Sequence, residues 1–70
     1  MSWNYRVVRE NRCYSIRDVY YYGSSDRVRA WASYPSYPMG ETISILKGDW
    51  EMMCQAFERP VVDLDKRKKK

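Results

Sequence analysis

Seventy residues with a formal net charge of +4 make at most one domain. The chain has no histidine and only two cysteines, Cys13 and Cys54, set far apart, which excludes a histidine general base, a serine triad, a conventional zinc site and a disulfide framework. No apolar run approaches the ~20 residues of a membrane span, the N-terminus lacks a basic-then-apolar leader, and unpaired cysteines suit a reducing compartment; a cytoplasmic location with no membrane partner is expected.

Taken in chain order, Trp3 to Arg9 reads as a strand, with Trp3, Tyr5 and Val7 on one side and Asn4, Arg6 and Val8 on the other. Glu10-Asn11-Arg12 is a short polar turn, and Cys13 to Tyr22 is a second run rich in strand-forming residues. Its last four residues are apolar or aromatic on both faces, so the pattern assigns neither face to a covering helix. Gly23-Ser24-Ser25-Asp26 is a loop, and Arg27 to Tyr34 reads as a third strand that Pro35 and Pro38 close. Short connections favour sequential antiparallel pairing.

Residues 34–40 form an extended crossing loop. Thr42 is the expected N-cap of a helix carrying Ile43, Leu46, Trp50, Met53 and Phe57 on one face. Gly48 inside it costs about 1 kcal/mol relative to alanine, and Pro60 ends the helix near Phe57 or Glu58. Val61 and Val62 are read either as a short extended piece or as packing beneath the sheet. The expected architecture is α+β, a three-stranded antiparallel meander followed by one helix (βββα). It occupies residues 1–65 as a single domain, with a disordered basic tail at 66–70. A chain this small is marginally stable alone, and a homodimer formed through uncovered sheet surface is the expected remedy.

The opening Trp3-Asn4-Tyr5-Arg6-Val7-Val8, the Gly40-Glu41-Thr42 step and Arg59-Pro60-Val61-Val62-Asp63 resemble a family of short, uncharacterised bacterial proteins. More distantly, the strand order and the Gly40-Glu41-Thr42 step opening the helix are similar to the HicB-type antitoxins, whose partial RNase-H-like domain is a βββα unit. That resemblance implies a protein that self-associates and occludes a small RNA-cleaving toxin. Tyr34-Pro35-Ser36-Tyr37-Pro38 replaces the family's Asp-Leu-Pro-Gly-Cys-like segment, Ser44 and Ile45 stand where that helix often begins with Glu, and no residues remain for a helix-turn-helix.

Three groups of residues bear on chemistry. The carboxylates, with Asp18 alone well inside a strand, read as solvated surface rather than as the clustered metal-binding set of a nuclease. The aromatics read as core and interface, with Tyr20, Tyr21, Tyr22, Trp31, Tyr34 and Tyr37 the expected partner contacts. The cations Arg6, Arg17 and Arg29, with Lys66, Arg67, Lys68, Lys69 and Lys70, are the alternative, a small nucleic-acid-binding surface. Without the five-residue tail the body holds eight basic against nine acidic residues, so the positive charge is terminal. Five tail cations imply a salt slope near about −4 and affinity without sequence preference. Cys13 and Cys54 read as small buried hydrophobes. The reading is thus a non-enzymatic protein-binding module, antitoxin-like or inhibitor-like and dimeric, without cofactor or metal. A short phage- or plasmid-borne inhibitor would present the same features. The alternative is the nucleic-acid binder.

Overall fold

The computed structural model describes residues 2–67. Strands β1, Ser2–Glu10, and β2, Cys13–Tyr21, form a nine-pair antiparallel hairpin running from Ser2↔Tyr21 to Glu10↔Cys13. Only Asn11 and Arg12 turn the chain, at φ 55° and 64°. Both central residues of a two-residue hairpin turn adopt positive φ because that twist matches the flanking strands. Asparagine tolerates this conformation, whereas arginine bears a steric cost of about 1 kcal/mol. A carboxylate offsets it: the Asn11 and Arg12 backbone N–H groups donate to Asp65 Oδ1 and Oδ2 at 2.7 and 2.9 Å.

Strand β3, Val28–Trp31, pairs antiparallel with β2 through Val19↔Trp31 and Tyr20↔Ala30, then shifts register between Tyr20 and Tyr21. It is shorter than the alternating pattern from Arg27 to Tyr34 predicts. Single backbone bonds nevertheless continue along β2, from Ala32 N to Asp18 O at 2.9 Å and from Ser36 N to Ile16 O at 2.8 Å. The 34–40 loop therefore leaves the sheet gradually.

The three-stranded meander with one helix is incorrect. The sheet has four strands in the order β3-β2-β1-β4, where β4 is Val62–Asp63, and β4 runs parallel to β1 through Val8↔Val62 and Arg9↔Asp63. A parallel neighbour needs a long crossover, and the segment holding α1, Ile43–Cys54, supplies it. Two residues carry no readable period, so the strand shows itself only against β1, whose outer edge it covers. The expected disordered tail is corrected as well: Leu64–Arg67 forms a helical turn, α2, in which the Lys66 N–H donates to Asp63 Oδ1 at 3.0 Å. Lys68, Lys69 and Lys70, also assigned to that tail, lie outside the described residues.

Alternation along β1 separates two layers. Val8 joins Val19, Tyr21, Val62 and Leu64 in the core, with Val28 and Trp31 packed against it. Tyr5 and Val7 face the other way. There a 3-10 turn, Gln55–Glu58, continues α1 and brings buried Met53 and Ala56 toward β1. The Arg59 guanidinium ties this end down by donating to Tyr5 O at 3.3 Å. Asp49 of α1 acts electrostatically on Tyr5, as does Asp18, the Tyr5 cross-strand partner. The helix thus belongs to the Tyr5–Asp18 face.

Thr42 caps α1 as expected, its Oγ1 accepting from the Ile45 N–H at 3.1 Å. Gly40 has a steric role in the same step: a Cβ there would collide with the Leu46 backbone nitrogen and sit 2.8 Å from the Ile45 carbonyl carbon. The stripe behaves unlike the expectation. Of Ile43, Leu46, Trp50, Met53 and Phe57, only Met53 is buried. The 3-10 turn docks on β1, and the earlier turns of α1 project away from the sheet.

Candidate functional site

The six expected contact aromatics do not share one surface. Tyr21 is buried in the core, its Oη donating to Asn4 Oδ1 at 2.5 Å and accepting from Arg6 Nη1 at 2.8 Å. Trp31 packs on that core and Tyr20 is half-buried. Tyr22, Tyr34 and Tyr37 remain exposed, the last two at 81% and 70%. The loop that carries Tyr34 and Tyr37 is held at Ser36 and at Met39. Ser36 Oγ donates to Asp18 Oδ1 at 3.0 Å, and the Met39 N–H donates to Asp49 Oδ2 at 2.9 Å. Asp18, singled out as the carboxylate inside a strand, positions this loop. Burial first, then the charges of Asp49 and Asp18, raise the Tyr5 phenol above its usual pKa.

Further apolar surface lies on α1. Ile43, Leu46 and Trp50, with Phe57 of the following 3-10 turn, are exposed along the expected face, whereas Ile45 and Met52 are exposed on the other side of the helix, beside Gly48. Burying such a side chain is worth ~1.5–3 kcal/mol. An isolated helix of 12 residues is marginal in water, so this one leaves its main source of stabilisation unused.

The arginine stripe is not assembled. Arg6 and Arg17 are cross-strand partners, but Arg17 is buried and structural. It pairs with Glu10 at 3.1 Å and donates to Ser15 Oγ, Ala32 O and Ser33 O at 3.1 to 3.4 Å. It holds the exit from β3 to the hairpin. Arg29 falls at the register shift between β2 and β3, out of alternation with that pair.

Arg6 instead lines a different feature. A groove of about 560 Å³ runs between β1, the β2–β3 loop and the C-terminal segment, and its cations are Arg6, Arg27, Lys66 and Arg67. Through Arg6 and Asp26 it continues into a second cavity of about 380 Å³ bearing Arg59 and Trp3. Sequence pattern alone misses this convergence, because Arg27 sits in a loop and Arg67 in a run read as disordered. The one available signal was the proximity of Lys66 and Arg67 to the Val61–Asp63 segment.

Among the described residues, no three His, Cys, Asp or Glu side chains are grouped so as to hold a metal ion, and no helix is long and apolar enough to cross a membrane. Both cysteines are free; Cys54 is half-buried and Cys13 is exposed, contrary to the expectation of burial. Compared with known proteins, the chain matches no family model, no curated protein and no solved structure.

Proposed function

We propose that the protein is a non-enzymatic protein-binding module that acts as a homodimer in the cytoplasm, in the manner of an antitoxin or a small inhibitor. One observation carries this reading: a helix whose apolar residues are mostly exposed, joined to a loop presenting Tyr34 and Tyr37. The exposed side chains Ile43, Leu46, Trp50 and Phe57 make one continuous apolar face. Four partly exposed residues from each of two copies represent a gross gain on the order of 10 kcal/mol at ~1.5–3 kcal/mol per fully buried side chain. Association costs ~4–15 kcal/mol in lost freedom. Gain and cost are of the same order, so the expected dimer is weak and dependent on concentration.

In this reading α1 meets α1 of a second copy, and the clamped 34–39 loop is left for the partner protein. Dimerisation therefore runs through the helix rather than through the sheet surface suggested by the aromatic strands.

Sedimentation across the micromolar range tests the proposal with the native chain and a Trp50→Glu, Phe57→Glu variant. The native chain should be dimeric. The variant should be monomeric with an unchanged β-sheet spectrum. A native chain that stays monomeric throughout, or a variant that dimerises equally well, overturns it.

A further inference from the structure

We infer that the continuous groove from Arg67 to Trp3 is a binding track for the phosphodiester backbone of single-stranded nucleic acid. None of Ile43, Leu46, Trp50 and Phe57, the face assigned to dimerisation, lines it; Met52, on the other side of that helix, shares a small cavity with Trp3 and Arg59.

Five cations line the two joined cavities: Arg6, Arg27, Arg59, Lys66 and Arg67. Their hydrogen bonds leave donors over. Arg6 donates Nε to Pro60 O at 2.8 Å and Nη1 to the Tyr21 hydroxyl, both neutral acceptors, which hold its guanidinium in place without cancelling its charge. Arg27 lies over the Tyr22 ring at 5.2 Å from its centroid, and Arg59 donates to a backbone carbonyl. A guanidinium so fixed keeps free N–H groups for phosphate oxygens. Of the two carboxylates lining the track, Asp63 is engaged, facing Arg9 at 3.6 Å and capping α2. Asp26 stands on the exposed loop.

An aromatic at one end makes this more than a basic patch. Trp3, nearly half exposed and set edge-on to Tyr5 at 5.2 Å, lines the far cavity beside Arg59. Bases of a single strand stack on such a ring irrespective of sequence, while cations follow the backbone. A duplex hides its base faces and offers Trp3 nothing to stack on. The near-neutral charge of the folded body does not oppose this assignment, since the positive charge is gathered on one track. The chain also continues from Arg67 directly into Lys68-Lys69-Lys70, which adds cations to the same terminus in sequence.

The test is fluorescence anisotropy with a labelled oligothymidine strand, its duplex and inorganic pyrophosphate as competitor, over a series of salt concentrations. Variants are made in the full chain. Arg27→Gln with Arg67→Gln should flatten the slope of log affinity against log salt by about 1.4, at about 0.7 per phosphate contact on a single strand. Trp3→Leu should weaken the single strand by about tenfold, the loss of one stacked base, while leaving the salt slope and duplex affinity unchanged. Asp26→Asn should strengthen binding. Replacing Lys68, Lys69 and Lys70 by serine should lower affinity but preserve the effects of both other variants.

The inference fails if the groove variants bind like the native chain and the triple serine variant abolishes binding, because the terminal lysines then act alone. It also fails if pyrophosphate binds and the strand does not, if duplex and single strand bind equally, or if Trp3→Leu has no effect.

Discussion

The hairpin side of the molecule and the α1 side contrast in how their interactions are satisfied. Along β1 and β2, charged groups are held in defined geometry: Arg17 by Glu10 and the β3 exit, and the Asn11-Arg12 turn by Asp65. Core residues Val8 and Val19 are fully enclosed. Along α1 the backbone is well capped, yet Met53 is the one buried side chain of the helix. The first region is internally complete. The second has the local structure of a finished element without the packing that normally stabilises one.

The sharpest way to break this contrast is at Arg17. Arg17→Ala removes the ion pair to Glu10, opens a gap and frees the Ala32 and Ser33 carbonyls. We expect a loss of about 3 kcal/mol, at the lower end for a broken buried pair because Glu10 keeps some solvent contact. A urea titration followed by far-ultraviolet circular dichroism measures it; a change below about 1 kcal/mol would make the pair ornamental in a surface-like environment.

Asp65→Ala tests the other fastening. It removes the acceptor of two turn N–H groups and an ion pair to Arg9 at 3.5 Å. The expected loss is about 1–2 kcal/mol, with hydrogen exchange accelerated at Asn11 and Arg12 and in α2 rather than in α1. Uniform acceleration would mean that the C-terminal segment is not a separable fastening.

Gly48→Ala sharpens the comparison from the helix side. Nothing lies within 4 Å of the position a Cβ would take, and position 48 falls opposite the Leu46–Trp50 stripe. The helix should gain about 1 kcal/mol, read as a higher urea midpoint, while the dimer constant stays unchanged.

The smallest effect concerns pH. The folded-state pKa of Tyr5 lies above the ordinary phenol value of 10.0, through burial and then the Asp49 and Asp18 charges. The stability this represents is complete below pH 10.0 and is lost as pH rises through the raised folded value. Tyr5→Phe should flatten that alkaline decline. An Asp49→Asn variant should move the Tyr5 titration downward, measured by NMR of ring-labelled tyrosine.

Much of this framework is legible in the residues. The alternation in Trp3–Arg9 and Cys13–Tyr22, the polar turn between them, the Thr42 cap and the Pro60 stop each express a local rule, and each appears within a residue or two of its expected place. The unread parts are nonlocal. Val62-Asp63 is a strand only because β1 offers an edge, and Asp65 matters only because a turn distant in sequence lacks acceptors. Tyr21 and Trp31 were read as contacts because aromatic residues suit cores and interfaces equally. Pairing with the neighbouring strands sends them inward: Tyr21 lies two residues from Val19 on the same face, and Trp31 lies directly opposite Val19. The groove draws Arg6, Arg27 and Lys66 from three separate segments, so no spacing marks it.

The fastening of Asp65 to the Asn11-Arg12 turn spans 54 and 53 residues of a 70-residue chain. Together with the Val8↔Val62 pairing, it makes completion of the sheet depend on residues synthesised long after the hairpin. The hairpin can form early because its contacts are local, but Val62 and Leu64, two of the five residues of that core cluster, arrive some forty residues later. Nonlocal closure of this kind slows folding, and during the delay the apolar face of α1 is already present in the nascent chain. A second copy reaching that face early would shield it until Val62 and Asp65 dock, so assembly and folding would proceed as one process.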